Sequence, residues 1–363
     1  MHGLRNPWFL AITLLGAGCP GDDSGGDTTG VGSTSMATGD GTTGEPPTTT
    51  DPSTSAADST STGPDPDSSG GSSDGSDGSD SSGTGGSGID CTMIAPGPLT
   101  PEEVFAPGAV FNGSEDIVFD GQGGLAGKSG GNVIVVGTDG SMLDSWSDGG
   151  GTYGLRYRAN GQLLAAKYMA SQLVDVISGD VVASGIGGVN GVWPDFEGRV
   201  WFTNFSSVQR LETDDTITPI VGGVDGNSAN GVIYDPDRGL LYYTNYGAGL
   251  VRAIEIMPDG SPGAVGMVAA IPGASLDGIN LDACGNLYAV DQGGSALWRV
   301  YLDEFGGPVG EPEELVASFP ANVANAVWGS GAGWDENSLY VAGVPGGVYR
   351  VEIGVPGVAA VAP

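Results

Sequence analysis

Six side chains with carboxylate, amide or phenol oxygens begin six similar stretches of the sequence, and their chemistry suits a hard cation. They are Glu115, Tyr153, Asn190, Asn230, Asp277 and Asn325. Most of them precede a glycine or alanine and then an apolar run, and successive members lie 37 to 48 residues apart. Oxygen ligands are those that Ca²⁺, Mg²⁺ and Mn²⁺ prefer in proteins. If folding brings these positions together, they form a candidate site for a divalent cation.

A water-filled channel is the alternative to a cation site. Buried polar side chains are unfavourable without partners, and ordered water can satisfy them with no metal present. Water explains a single asparagine at such a position better than a metal does. The combination of Glu115, Asn190, Asn230 and Asp277 in one register favours a cation, because it joins two negative charges to amide oxygens.

The stretches that carry these side chains form a sixfold internal repeat. Each unit has the polar residue, an apolar strand, a turn resembling Asp-x-x-Gly, and a second strand rich in Leu, Tyr, Val and Trp. In the fourth unit we expect these strands at 230–235 and 238–243 and a third at 250–256. Short strands at this period predict an all-β, six-bladed β-propeller, with a fourth strand in the remaining residues of each unit. A linear β-solenoid is the rival fold, but its repeats are usually shorter.

A propeller would place the six polar side chains around one axis. The first strand of each blade lines the central channel, so equivalent positions of the six units meet at a similar depth. The small residues that follow most of them, such as Gly191 and Gly231, would let the backbones crowd the channel.

The sequence before the repeats predicts export. Arg5, a short apolar run and small residues before Cys19 predict a lipoprotein-type signal peptide at 1–18, with Cys19 as the lipidated mature N-terminus. Processing by an ordinary signal peptidase is the alternative. Residues 19–90 are rich in Gly, Ser, Thr and Asp and predict a disordered linker, which leaves the propeller at 91–363. We therefore expect a bacterial outer-membrane or cell-surface lipoprotein, or else a periplasmic or secreted protein.

Charge and cysteine content narrow the partners. The formal net charge of −33 argues against nucleic acid and against an anionic membrane surface, so we expect membrane attachment only through the lipid anchor. In an oxidising compartment Cys91 and Cys284 are expected to form a disulfide, with two separate thiols as the alternative. We expect a monomer that acts on a small molecule.

The repeat resembles the gluconolactonase, senescence-marker-protein and luciferin-regenerating-enzyme family of six-bladed propellers over essentially the whole folded region. The closest matches are residues 229–245 and 277–288. The resemblance implies a divalent cation, Ca²⁺ first with Mg²⁺, Mn²⁺ or Zn²⁺ as alternatives, held by Glu115, Asn230 and Asp277. It also implies that Asn190 contacts the substrate. We expect Tyr153 to help orient that substrate and Asn325 to be a further polar group lining the channel.

Two positions depart from the family pattern. Asp116 and Ile117 follow Glu115 where the family has Gly-Pro, and Gly188 stands where the family has a substrate-binding arginine. Residues 113–117 are also similar to paraoxonases, related propellers that use a pair of histidines beside the metal. The one histidine of this sequence is His2, within the predicted signal peptide, so a histidine mechanism is excluded for the mature protein.

These residues together predict a metal-dependent hydrolase of a lactone or related ester in the channel of a surface-tethered propeller. The cation would polarise the carbonyl group. Asp277 is the expected general base, because a carboxylate must activate water where no histidine is present. The alternative is a non-catalytic propeller that binds a ligand or a protein, since propellers perform both roles.

Overall fold

The computed structural model describes residues 88–360, and their architecture is the predicted six-bladed β-propeller, in which each blade is a four-stranded sheet. The predicted signal peptide, the lipidation site Cys19 and nearly all of the predicted linker lie outside the described residues. No helix within residues 88–360 is long and apolar enough to span a membrane.

Twenty-four short strands make up the blades in chain order. The first twelve are β1 Glu102–Phe105, β2 Ile117–Phe119, β3 Leu125–Ser129, β4 Asn132–Val136, β5 Met142–Ser147, β6 Thr152–Tyr157, β7 Leu163–Lys167, β8 Gln172–Asp175, β9 Val181–Ser184, β10 Val192–Pro194, β11 Val200–Thr203 and β12 Val208–Leu211. The other twelve are β13 Ile217–Val221, β14 Ala229–Asp235, β15 Leu240–Asn245, β16 Leu250–Ile256, β17 Pro262–Ala270, β18 Leu276–Leu281, β19 Leu287–Asp291, β20 Ala296–Val300, β21 Glu313–Val316, β22 Asn325–Trp328, β23 Ser338–Gly343 and β24 Gly347–Glu352. Helical structure in the described part of the chain is limited to the one-turn helix α1 Gly223–Gly226 and a 3-10 turn at Cys91–Met93.

The innermost strands of blades 1 to 6 are, in order, β2, β6, β10, β14, β18 and β22. Each contacts the next, and β22 contacts β2, so the six strands close a ring. We call the end at which these strands begin the upper face and the opposite end the lower face. Because the second strand of each blade is antiparallel to the first, it ends at the upper face.

Blade 6 joins the two ends of the propeller. Its sheet has the order β1-β24-β23-β22, so its outermost strand comes from before the first repeat. The expectation that each unit supplies its own fourth strand is therefore wrong for the sixth unit. The residues after β24 cross the lower face instead, where Val358 N donates a hydrogen bond to Leu281 O at 3.1 Å.

The Asp-x-x-Gly turns explain why the sequence repeats where it does. In blade 3 one carboxylate oxygen of Asp195 accepts hydrogen bonds from the backbone amides of Glu197 (3.0 Å) and Arg199 (2.9 Å). Its other oxygen accepts one from Trp201 Nε1 at 3.0 Å. Trp201 is fully buried and stacks on Tyr234 of blade 4, with ring centroids 5.0 Å apart. The turn thus fixes a side chain that packs two blades together.

Cys91 and Cys284 form the predicted disulfide. Cys284 lies in the turn between β18 and β19, so the bond attaches the start of the folded region to blade 5. Arg299 of the same blade supports this attachment, because its guanidinium donates to Ala95 O at 3.1 Å and pairs with Glu313 at 2.6 Å.

Removing both cysteines should destabilise the propeller. The bond closes a loop of 193 residues, and loss of such a long cross-link in the Cys91→Ser, Cys284→Ser double variant should lower the free energy of unfolding by about 2–5 kcal/mol. Denaturant unfolding of the oxidised and the reduced protein measures the difference. Reducing agent should destabilise the wild type and leave the double variant unchanged, and an equal response of both proteins would contradict the prediction.

Candidate metal centre at the upper face

The structure places the six repeat-leading residues at one end of the inner ring. Tyr153, Asn230, Asp277 and Asn325 lie at the first or second position of an inner strand, whereas Glu115 and Asn190 lie two residues before one. All six inner strands begin at this end of the ring and each contacts the next, so the six residues lie at the same end of the channel. The six residues that begin the repeats in the sequence thus lie together at the upper face of the propeller.

Glycines permit this close approach of neighbouring blades. A side-chain Cβ at Gly191 would collide with the carbonyl oxygen of Asn230, and one at Gly231 would collide with that of Asp277. Only glycine lacks the atom that would clash. The small residue after the lead position is therefore required by the geometry of the ring.

Two buried threonines fix the backbone of the next blade. Thr244 Oγ1 accepts a hydrogen bond from Gly231 N (2.8 Å) and donates one to Asp277 O (2.6 Å). Thr203 repeats the arrangement one blade earlier, accepting from Gly191 N (2.9 Å) and donating to the Asn230 carbonyl. Both threonines are fully buried. The carbonyl groups of Asn230 and Asp277 are thus engaged, and only their side chains remain available.

Those two side chains carry buried oxygen atoms without a partner in the described protein. Asn230 Oδ1 and Asp277 Oδ2 are both inaccessible and accept no hydrogen bond. Asn230 is 2% exposed and Asp277 is 3% exposed. An unsatisfied buried acceptor is unfavourable by about 1–3 kcal/mol, so two of them in adjacent inner strands need an explanation. A cation contacting both oxygens would supply the missing partner.

Glu115 and Asp277, the two acidic residues among the six, repel each other. Burial, together with the Asp116 carboxylate, raises the pKa of Glu115 to about 8, although Lys128 acts in the opposite direction. Burial raises the pKa of Asp277 well above its ordinary value, and the Glu115 and Asp116 carboxylates raise it further. These directions show that Glu115 and Asp277 lie close enough to interact. A positive charge bound between them would favour the ionised form of both groups.

Few carboxylates are available as metal ligands at this site. Among residues 88–360 there is no group of three or more His, Cys, Asp or Glu side chains placed to hold a metal ion. A site here would therefore combine two carboxylates with the amide oxygen of Asn230, and further amide or water oxygens would complete the coordination of a hard cation.

Asp116, next to Glu115, has a structural role instead. Its carboxylate accepts hydrogen bonds from Ile117 N (2.8 Å) and Leu155 N (2.9 Å) and forms an ion pair with Arg156 (2.6 Å). It therefore joins blade 1 to blade 2. This use explains why an aspartate follows Glu115, where the family pattern differs.

The three predicted substrate-binding residues have different surroundings. Asn190 is buried and Tyr153 is half-buried, and the pKa of Tyr153 is raised by burial and by the nearby Glu115 carboxylate. The Oδ1 atom of Asn325 accepts a hydrogen bond from Ala326 N at 2.8 Å and lies against Gly278. Its oxygen is thus engaged by the protein, which leaves its amide nitrogen as the group to face a ligand.

Sequence reasoning missed three aromatic residues beside these side chains. Tyr168, Phe205 and Tyr246 each follow the second strand of their blade, in blades 2, 3 and 4. Burial raises the pKa of Tyr246, and among the charges that raise it further are the carboxylates of Asp277 and Glu115. The signal that could have found them is an aromatic residue one or two places after the second strand of three successive repeats.

A separate cavity of about 280 Å³ lies at the lower face. Its walls include Trp193, Trp328 and residues 356–360 of the C-terminal segment. It lies at the opposite end of the inner strands from Glu115 and Asp277, so it takes no part in the candidate metal centre.

The Thr244→Val variant tests how the site is held in place. Valine keeps the volume but leaves Gly231 N and Asp277 O without a partner, so the free energy of unfolding should fall by about 2 kcal/mol or more. Urea denaturation followed by tryptophan fluorescence measures the change. The exposed Thr213→Val is the matched control and should stay within about 0.5 kcal/mol of wild type. Equal stabilities of the two variants would show that the threonine contacts are unimportant.

Comparison with known proteins supports the fold. A scan of protein-family models and a search of curated proteins find no match to this sequence. Among solved structures, a luciferin-regenerating enzyme is 15% identical with a TM-score of 0.59, covering 73% of this chain and 99% of its own. A gluconolactonase from Xanthomonas campestris is 19% identical (TM-score 0.54, 71% and 98% covered). A calcium-binding protein, regucalcin, from Agrobacterium tumefaciens is 13% identical (TM-score 0.57, 73% and 97% covered). The structural neighbours are thus of the kind that the sequence resembles, and they share its propeller fold.

Proposed function

We propose that this protein is a metal-dependent hydrolase of a lactone or related ester. The observation that carries the proposal is the pair of buried, unpartnered oxygens on Asn230 and Asp277, beside the Glu115 carboxylate. Polar atoms that the fold leaves unsatisfied in a channel mark a ligand site, since a purely structural position would favour apolar side chains.

Glu115, Asn230 and Asp277 would hold the cation, Ca²⁺ first, with Mg²⁺, Mn²⁺ or Zn²⁺ as alternatives. Two carboxylates and an amide oxygen form a hard donor set, and a doubly charged ion would favour the ionised form of both carboxyl groups, whose pKa values are raised first by burial. When bound, the cation would polarise the substrate carbonyl and stabilise the negative charge that develops on its oxygen.

The chain's own residues account for the movement of the proton. One oxygen of Asp277 can contact the cation while the other accepts a proton from the attacking water. The water oxygen forms a bond to the carbonyl carbon, and the bond between that carbon and the ester oxygen then breaks. The departing oxygen takes the proton from Asp277, which yields a hydroxy acid from a lactone. Asn190 and Tyr153 would orient the ring against this carboxylate.

The comparisons support this proposal at the level of similarity. One structural neighbour is described as a gluconolactonase and another as a calcium-binding protein. Their identities of 19% and 13% carry the fold, so activity and metal for this chain are inferred from the site.

Asp277→Asn should abolish both metal binding and turnover. The substitution keeps the size of the side chain but removes one of the two charges and the proton acceptor. Metal content of the purified protein, measured by mass spectrometry, should fall from about one ion per chain to near zero. Hydrolysis of a panel of lactones and aryl esters should fall at least a hundredfold, as is typical when a general base is lost.

Asp259→Asn is the matched control for Asp277→Asn, because Asp259 is an exposed turn residue of blade 4. It should retain metal and activity. Bound calcium without turnover of any ester in the wild type would contradict the hydrolase and favour the ligand-binding propeller.

Added calcium should stabilise the protein. A ligand that binds only the folded state contributes about 2.7 kcal/mol at a concentration one hundred times its Kd, which raises the Tm of a domain of this size by about 5 °C or more. Differential scanning calorimetry with calcium and with a chelator measures the shift. The same treatment should leave Asp277→Asn unchanged, whereas an equal shift in both proteins would place the bound calcium elsewhere.

A further inference from the structure

Four aromatic rings form a continuous row beside the candidate metal centre. We call Tyr153, Tyr168, Phe205 and Tyr246 the aromatic arc. The ring centroids of Tyr153 and Tyr168 are 5.1 Å apart, those of Tyr168 and Phe205 are 5.7 Å apart, and those of Phe205 and Tyr246 are 6.4 Å apart. The arc therefore runs across blades 2, 3 and 4 at the upper face.

The rings of the arc are accessible, unlike the aromatic residues of the core. Tyr242, Tyr243 and Tyr288 are fully buried within their blades. All four members of the arc are half-buried. Part of each residue is therefore open to solvent, so the four rings do more than pack the blades together.

The arc begins next to the carboxylates and is held in place. Glu115 lies close enough to Tyr153 to raise its pKa. At the other end, Tyr246 Oη donates a hydrogen bond to Gln292 Oε1 of blade 5 at 2.8 Å. The aromatic arc thus extends from the neighbourhood of Glu115 in blade 1 to Gln292 in blade 5.

Tyr168 fills a place where another side chain would otherwise stand. A Cβ at Gly188 would lie 2.5 Å from Tyr168 Cε2 and 2.9 Å from Cζ, so the ring excludes any side chain at position 188. The arc can include Tyr168 because the glycine makes room for the ring.

Phe205 occupies a conformation that its residue type disfavours. Its φ of 61° lies in the left-handed region, which glycine and asparagine adopt far more readily than phenylalanine. Strained residues of this kind cluster at ligand sites, where the side chain is retained for what it contacts. An aromatic ring is therefore kept at this position against the preference of the backbone.

We propose that the aromatic arc binds an aromatic ring of the substrate, so that the preferred substrates are aryl-fused or aryl-substituted lactones and esters. This inference rests on the proposed function and names its substrate class. Aromatic rings stack edge-to-face or offset against one another, and apolar pocket walls bury such groups favourably. A polyhydroxylated sugar lactone has less apolar surface to bury against the rings, and only the phenol oxygens of the tyrosines could pair with its hydroxyl groups, so it should gain less from the arc.

Kinetics on two lactones of equal ring size test the substrate class. Dihydrocoumarin carries a fused aryl ring, and δ-gluconolactone carries hydroxyl groups. Tyr168→Ala and Phe205→Gly should each lower kcat/KM for dihydrocoumarin about tenfold more than for δ-gluconolactone. Comparing each variant with wild type on the same lactone removes the difference in intrinsic reactivity. Equal losses on both lactones, or a larger loss on δ-gluconolactone, would overturn the inference.

The variants are chosen so that misfolding cannot explain the result. Phe205→Gly removes the ring but relaxes the left-handed backbone, so it should be at least as well folded as other truncations. Tyr168→Phe keeps the ring and should retain wild-type kinetics. Phe305→Ala, at an exposed site in blade 5, is the matched control for loss of a surface ring.

A binding experiment separates this inference from the proposed function. Chroman has the two fused rings of dihydrocoumarin but no carbonyl group, so it cannot be hydrolysed. Saturation-transfer NMR should show contact between the protein and the aromatic protons of chroman in wild type and Phe305→Ala, and its loss in Tyr168→Ala and Phe205→Gly. If no lactone is hydrolysed but chroman binds in this pattern, the hydrolase fails and the aromatic site stands. Absence of chroman binding to wild type would overturn the aromatic site, whatever the activity.

Discussion

Neighbouring inner strands of the propeller approach until backbone meets backbone, and this contact determines the chemistry at the upper face. Gly191 and Gly231 leave no space for a side chain against the next blade's carbonyl group. The inner strands of blades 3, 4 and 5 therefore lie as close together at this level as their backbones allow, which brings the lead residues near one another. Burial and neighbouring carboxylates raise the pKa values of Glu115 and Asp277, and a positive charge between the two groups would favour their ionised forms.

The hydrogen bonds of the channel divide the polar residues into two kinds. Asp116 and Asn325 use side-chain oxygens to bind backbone amides: Asp116 joins blade 1 to blade 2, and Asn325 binds the amide of the next residue in its own strand. Asn230 and Asp277 have their carbonyl groups held by threonines, while each keeps a side-chain oxygen without a partner. The second kind is what a ligand site requires, because the protein fixes the backbone and leaves the side chain available.

The repeat was sufficient to predict the fold and the lead column, since both follow from a spacing that is visible in the sequence. Two features were not predictable in this way. The partner of Asp116 is Arg156, 40 residues later, and no local pattern links them. The outer strand of blade 6 comes from the other end of the domain. Three members of the aromatic arc could have been found from the repeat, because Tyr168, Phe205 and Tyr246 follow the lead residues Tyr153, Asn190 and Asn230 by 15, 15 and 16 residues. In the sequence they look like ordinary blade-packing aromatic residues, and their contact with one another becomes visible only in the structure.

The shared construction of blade 6 has a consequence for how the chain assembles. β1 (Glu102–Phe105) pairs with β24 (Gly347–Glu352). The first strand of the propeller therefore has no hydrogen-bonded neighbour until the last of the described strands is present. A growing polypeptide can complete blades 1 to 5 in order, each from contiguous residues, but blade 6 keeps a free strand edge until β24 has been made and β1 has paired with it. Pairing across such a separation closes slowly, and an open edge can recruit other chains. Assembly of this propeller thus ends with one late step, the pairing of β1 with β24, which closes the ring of blades.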